Sequence, residues 1–202
     1  MIAIIDYDAG NIKSVEKALI SLSQEAVITR DKNTIMSANH VILPGVGSFG
    51  DAMEKLERYE LIPVIKDVCR KGTPFLGICL GLQLMFESSE ETPGVKGLSL
   101  LEGNIVKIPE GEYKKIPHMG WNDLTLKGKG RLFKGIPDNP YVYFVHSYYL
   151  KAMDESIVKA TTNYNVEIHA SVEKDNIFAC QYHPEKSSDI GLQMLKNFIE
   201  IK

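Results

Sequence analysis

Only three cysteines occur in the 202 residues, Cys69, Cys79 and Cys180. An odd number without paired short spacings excludes both a disulfide framework and a structural zinc site. It also fits a reducing compartment, so the chain is expected in the cytoplasm. Charge of one sign is missing too: 23 Lys and Arg stand against 26 Asp and Glu, a net charge of -3. The basic patch or stripe that binds nucleic acid is therefore not expected. Charges interrupt every apolar run before it reaches the length of a membrane-spanning helix, and no membrane partner is expected. The start, Met1 to Asp6, lacks the positive region and small-residue cleavage site of a signal peptide and reads as a first strand. Internal repeats, low-complexity tracts and linkers are absent as well. His40, His118 and His169 show no metal-ligand spacing, and no metal or cofactor is expected. What remains is an ordinary globular composition, 44% hydrophobic and 24% charged, in a chain the length of one domain, 1–202.

The first half alternates strand and helix patterns. Ile2 to Ile5 is a continuous aliphatic run, as in a strand covered on both faces. Asn11 to Leu22 carries helical spacing, followed by strand patterns at Ala26 to Thr29 and His40 to Leu43. Ala52 to Tyr59 and Leu61 to Arg70 read as helices, with Lys71-Gly72 as a stop signal, and Phe75 to Ile78 as the next strand. This repetition predicts a parallel sheet in an α/β domain. The second half reads differently. Asn104 to Ile108, Asn122 to Leu126, Tyr141 to Tyr149, Ile157 to Thr162, Glu167 to Glu173 and Ile177 to Tyr182 are strand patterns, closed by a helix over Ser188 to Ile201. Glu87 to Lys96 reads as a solvated loop. The expectation is one α/β domain with a mixed central sheet flanked by helices.

The chemistry concentrates where the strand Phe75 to Ile78 meets Cys79, bracketed by Gly77 and Gly81. Two glycines around one nucleophile-type residue suit a tight strand-to-helix turn, because bulky neighbours would clash there. Such a turn lifts the thiol into a cleft, where a helix N-terminus favours the thiolate. Cys69 and Cys180 read as small buried apolar residues. Far along the chain, Gln181-Tyr182-His183-Pro184-Glu185 supplies a base and a carboxylate. Pro184 pushes His183 toward extended backbone, which projects His183 and Glu185 to the same side. By itself the triplet reads as a loop turn. Joined to Cys79 it makes a nucleophile, a general base and an orienting carboxylate. Backbone donors for an oxyanion are offered by Gly45, Val46 and Gly47 after a strand, and by the amide of Leu80. Gln83, four residues after Cys79, shares its helical face and can reach a substrate amide. His146, set among aromatics, reads as a hydrogen-bonded structural residue. Tyr141, Tyr143, Phe144 and Tyr148 read as core and interface packing.

Gly77-Ile78-Cys79-Leu80-Gly81-Leu82-Gln83 together with Tyr182-His183-Pro184-Glu185 resembles the class I, triad-type glutamine amidotransferases. Ile5-Asp6-Tyr7, Leu43-Pro44-Gly45-Val46-Gly47, Pro117-His118-Met119-Gly120-Trp121-Asn122 and Tyr143 to Tyr148 narrow the resemblance to the glutaminase subunits of imidazole glycerol phosphate synthases. The resemblance covers essentially the whole chain. It implies a flavodoxin-like glutamine amidotransferase fold and hydrolysis of L-glutamine to glutamate and ammonia through a Cys79 thioester, with His183 and Glu185 completing the triad. It further implies transfer of ammonia to a (βα)8-barrel cyclase in a heterodimer of histidine biosynthesis. Gln83, Ser147 and Tyr148 would contact glutamine and Gly47 would line the same pocket, while Asn11, Trp121 and Lys186 would lie toward the cyclase. A flip of the Gly45-Val46 peptide is the implied switch. Asp8-Ala9 and Tyr149-Leu150 depart from the family pattern in segments expected to face a partner. They leave open a paralogous glutaminase that feeds amidation of a surface-polysaccharide sugar precursor.

Overall fold

A computed structural model describes residues 1–111, 115–128 and 130–202. In chain order the first half forms β1 (Ile2–Ile5), α1 (Ile12–Ser21), β2 (Ala26–Thr29), α2 (Lys32–Ser37), β3 (His40–Leu43), α3 (Phe49–Arg58), α4 (Leu61–Lys71), β4 (Phe75–Ile78) and α5 (Leu80–Leu84). The second half contributes β5 (Ser88–Ser89), β6 (Gly103–Lys107), β7 (His118–Asp123), β8 (Thr125–Leu126), β9 (Tyr141–His146) and β10 (Tyr148–Ala152). It closes with β11 (Val158–Tyr164), β12 (Val166–Lys174), β13 (Ile177–Cys180) and α6 (Ser188–Ile199). Among the described residues no helix is long and apolar enough to cross a membrane.

The main sheet has the order β2-β1-β3-β4-β13-β12-β11-β8. Its first five strands run parallel, and pairing turns antiparallel from β13 onward, the mixed sheet the sequence predicts. The central strands are buried along their whole length, which is why Ile2–Ile5 and His40–Leu43 show no alternation. One apolar layer holds Ile5, Val41, Leu43, Phe49 and Leu56 on the side of α3 and α4. The other holds Ile4, Val15, Leu19, Phe178 and Phe198 on the side of α1 and α6. Both layers fix β4 and β13 side by side at the centre, in register from Phe75 with Ile177 to Ile78 with Cys180.

Three sequence expectations change. The pattern over Tyr141 to Tyr149 is two strands that part at Ser147 and join different sheets, β9 pairing with β7 and β10 with β6. The strand expected from Asn122 divides likewise into β7 and β8. The loop from Glu87 is not simply solvated, since it contains β5 and the carboxylate of Glu91 accepts from the Phe49 amide at the start of α3 at 2.7 Å.

Candidate active site

Cys79 stands between β4 and α5 with φ 55° and ψ -107°, strained backbone for a residue with a Cβ. Its amide donates to the Cys180 carbonyl at 2.8 Å, so the turn is pinned to the neighbouring strand. A Cβ at Gly81 would overlap the carbonyl of Leu43, and one at Gly77 would press into the Met85 sulfur and the backbone of Gly81. Both glycines are therefore required by the close approach that the sequence pattern implies. The helix after the nucleophile is five residues long, and its dipole is correspondingly small.

The base comes from the end of β13. His183 donates its amide to the Tyr143 carbonyl at 2.9 Å, and its own carbonyl accepts from Ser187 Oγ at 2.6 Å. Its Nδ1 lies 2.7 Å from Glu185 Oε1, and both side chains are essentially inaccessible, 1% and 0% exposed. Pairing with a carboxylate places the proton on Nδ1 and leaves Nε2 as the basic atom. Nε2 makes no hydrogen bond of regular geometry, and the group it interacts with on that side is the Cys79 thiol. Burial works against a charged imidazole, but the interactions with Cys79 and Glu185 outweigh it and raise His183 to about 10. Asn11, expected toward a partner, donates from Nδ2 to the same Glu185 Oε1 at 2.7 Å. Its left-handed backbone, φ 67°, at the head of α1 turns it to the carboxylate.

The opposite side of Cys79 is arranged differently. The Leu80 amide donates to the Gly45 carbonyl at 3.3 Å, so in this conformation it is not available to an oxyanion. Tyr7 holds the same loop, donating to the Pro44 carbonyl at 2.8 Å, and a Cβ on Gly45 would collide with the Tyr7 hydroxyl. Gly47 has φ +109°, a conformation that favours glycine. Gly45 is buried, whereas Val46 is 37% exposed.

A cavity of about 360 Å³ opens onto Cys79, Leu80, Gln83, Ser147 and Tyr148. Val46 and Gly47 line it as well, and the parting of β9 from β10 is what turns Ser147 and Tyr148 toward it. Gln83 does not offer its amide nitrogen to a ligand: Nε2 donates to the Tyr148 carbonyl at 3.0 Å and to Gln181 Oε1 at 3.1 Å. Glu91, whose Oε2 accepts from the Phe49 amide, also lines the cavity. Sequence reasoning missed it because its acidic neighbours disguise it as loop solvation. His146 in the cavity wall has Nδ1 2.9 Å from the Tyr148 carbonyl and Nε2 3.0 Å from His118 Nδ1. Burial lowers it to about 4, a neutral structural imidazole. Among the described residues no group of three His, Cys, Asp or Glu side chains is placed to hold a metal.

Trp121 lies on β7, 53% exposed, edge-on to Tyr143 with ring centroids 6.2 Å apart, and Lys186 Nζ lies 6.0 Å from the same Tyr143 ring. Met119 on the same strand is 62% exposed, giving an apolar outer face near the base. The two departing segments differ: Asp8 stays exposed on the surface, whereas Tyr149 and Leu150 are buried in β10. Asp8 pairs with Arg30 at 2.6 Å, with Arg58 at 3.4 Å and with the Tyr59 hydroxyl.

The model of the family "Glutamine amidotransferase class-I" matches residues 3–201. "Imidazole glycerol phosphate synthase subunit HisH" of Bacillus cereus strain G9842 is 52% identical over 198 residues, covering 98% of this chain and 93% of the relative. The subunit of the same name from Caldanaerobacter subterraneus subsp. tengcongensis is 50% identical, covering 100% of this chain and 98% of the relative. A solved structure described as a crystal structure of glutamine amidotransferase superposes with a TM-score of 0.76 at 18% identity, covering 98% of this chain and 99% of the other, a likeness of fold. By sequence along its whole length, the chain belongs to the class-I glutamine amidotransferase family, in the group of the HisH subunits of imidazole glycerol phosphate synthase.

Proposed function

We propose that this chain, one glutamine amidotransferase domain over 1–202, is the glutaminase subunit of an imidazole glycerol phosphate synthase. The observation that carries the reading is the strained Cys79 beside the buried His183–Glu185 pair, on a cavity large enough for an amino acid. Cys79 Sγ attacks the side-chain amide carbon of glutamine, and the proton held by His183 goes to the departing nitrogen, which leaves as ammonia. Water, deprotonated by His183, then attacks the thioester, and the C–S bond breaks to give glutamate. Glu185, itself held by Asn11, keeps the imidazole in the reactive tautomer. Glu91 is the acid of the cavity lining suited to the α-ammonium of the substrate, with Ser147, Tyr148 and Gln83 Oε1 as further polar contacts.

The exposed face of Trp121, Met119 and Lys186 suits a partner surface, and a (βα)8-barrel cyclase is the partner the reading requires. There ammonia enters formation of imidazole glycerol phosphate and the aminoimidazole carboxamide ribotide for histidine synthesis. Three free cysteines agree with a cytoplasmic setting. The alternative acceptor, a sugar precursor, has less support, because the full-length relatives at 50% and 52% identity are HisH subunits. The test is Cys79→Ser in the complex. Glutamine-dependent synthesis should fall by about 10⁴-fold or more while ammonia-dependent synthesis is unchanged; survival of the glutamine-dependent reaction refutes the nucleophile.

A further inference from the structure

Gln181 is fully buried at the end of β13, a costly place for a carboxamide unless each polar atom has a partner. Its Oε1 accepts from Gln83 Nε2 at 3.1 Å. Its Nε2 points at Cys79 Sγ, 3.7 Å away. The orientation is fixed by the bonding around it: Gln83 Nε2 donates both to Tyr148 O, at 3.0 Å, and to Gln181 Oε1, which leaves the Gln181 NH₂ to face the sulfur. The backbone is held as well, with the Gln181 amide donating to Ala170 O at 2.9 Å. Gln181 and His183 lie two apart, and both interact with the thiol. The sulfur also lies 4.0 Å from the Val145 carbonyl, an acceptor that suits a thiol and opposes a thiolate. The five-residue helix after Cys79 adds little dipole.

We propose that Gln181 is a further catalytic residue: its amide, oriented by Gln83 as a positioning residue, donates to Cys79 Sγ and stabilises the thiolate. The inference rests on Cys79 being the nucleophile. In it the base and the donor arrive on one strand end, His183 to take the proton and Gln181 to hold the charge that remains. Gln83 thereby has two tasks, its nitrogen turned inward to Gln181 and its oxygen left for the cavity.

The test is the rate of Cys79 alkylation by iodoacetamide as a function of pH, read by mass spectrometry on the Cys79 peptide of the full chain. Cys69, raised by burial to about 12, and Cys180, raised well above the ordinary thiol value by burial, are distinguished by peptide. Gln181→Glu keeps the shape, removes the donor and puts an acid beside the sulfur. It should move the midpoint of the alkylation profile upward and slow the reaction at neutral pH by about tenfold, the scale of one charge-assisted hydrogen bond. Glutamine turnover should fall in kcat with KM little changed. Gln181→Met, close in volume and without polar atoms, should shift the midpoint the same way and serves if the Glu variant does not fold. A midpoint equal to the parent's in a folded variant overturns the role of Gln181. That failure is separable from failure of the proposed function, which would show as glutamine hydrolysis surviving in Cys79→Ser.

Discussion

On one side of Cys79 the groups are already connected: Asn11 and His183 both bind Glu185 Oε1 at 2.7 Å, and the imidazole is raised to about 10 by Cys79 and Glu185. On the other side the Leu80 amide is spent on the Gly45 carbonyl, and Tyr7 anchors the adjoining Pro44. The base half of the site is built from side chains just beyond β13 and at the head of α1, already bonded to one another. The oxyanion half is backbone in a glycine-containing loop whose Val46 and Gly47 lie at the surface, where a rotated peptide costs little. Control by a partner is therefore expected to act on the loop, and chemistry to depend on the side chains.

The largest effect should come from breaking the finished half. Glu185→Gln retains the shape but loses the charge that holds the Nδ1 tautomer, and glutaminase kcat in the complex should fall by about 10²- to 10⁴-fold. Steady-state rates decide it: a kcat within a factor of a few of the parent would mean that the pair is structural. A smaller effect of opposite sign is expected from loosening the other half. Tyr7→Phe removes the anchor on Pro44, worth about 1 kcal/mol, and the partner-free glutaminase rate should rise by about fivefold. An unchanged or lower rate would separate this loop from the control.

The smallest effect is on stability against pH. His183 titrates at about 10 when folded, above its ordinary 6.5, so its contribution is complete below pH 6.5 and is lost as pH rises through 10. His146 titrates at about 4, so stability is lost as pH falls from 6.5 through 4, where the unfolded chain takes up the proton first. Melting temperatures should peak between these ranges, and Cys79→Ala should flatten the alkaline decline because it removes a larger contributor to the raised value of His183. An alkaline decline of equal size in that variant would contradict the coupling.

The sequence reveals more of the base half than of the oxyanion half, for the same physical reason. Cys79 bracketed by Gly77 and Gly81, and His183 two residues from Glu185, are side-chain chemistry at short spacing, and the structure brings all three to one place. The peptide orientation at Gly45 leaves no mark in the residue types, so the closed Leu80 amide emerges only from coordinates. Partners distant in sequence are equally silent. Asn11 is expected toward a partner, yet it bonds Glu185, 174 positions away, and Glu91 is hidden among acids. The parallel half of the fold is legible because buried strands and amphipathic helices alternate. The break at Ser147 is not, since Tyr141 to Tyr149 is one unbroken strand pattern, and that break is what supplies the cavity wall.

The central claim is that the catalytic pair stands ready while the oxyanion donor is withheld until a partner rearranges the loop. It is tested most directly by the glutaminase kcat of the purified chain alone and with its cyclase bound to nucleotide ligand. A rise of about 10²-fold or more is expected on binding, the scale of gaining an oxyanion donor. A chain that hydrolyses glutamine equally fast alone would show that the Leu80–Gly45 hydrogen bond restrains nothing.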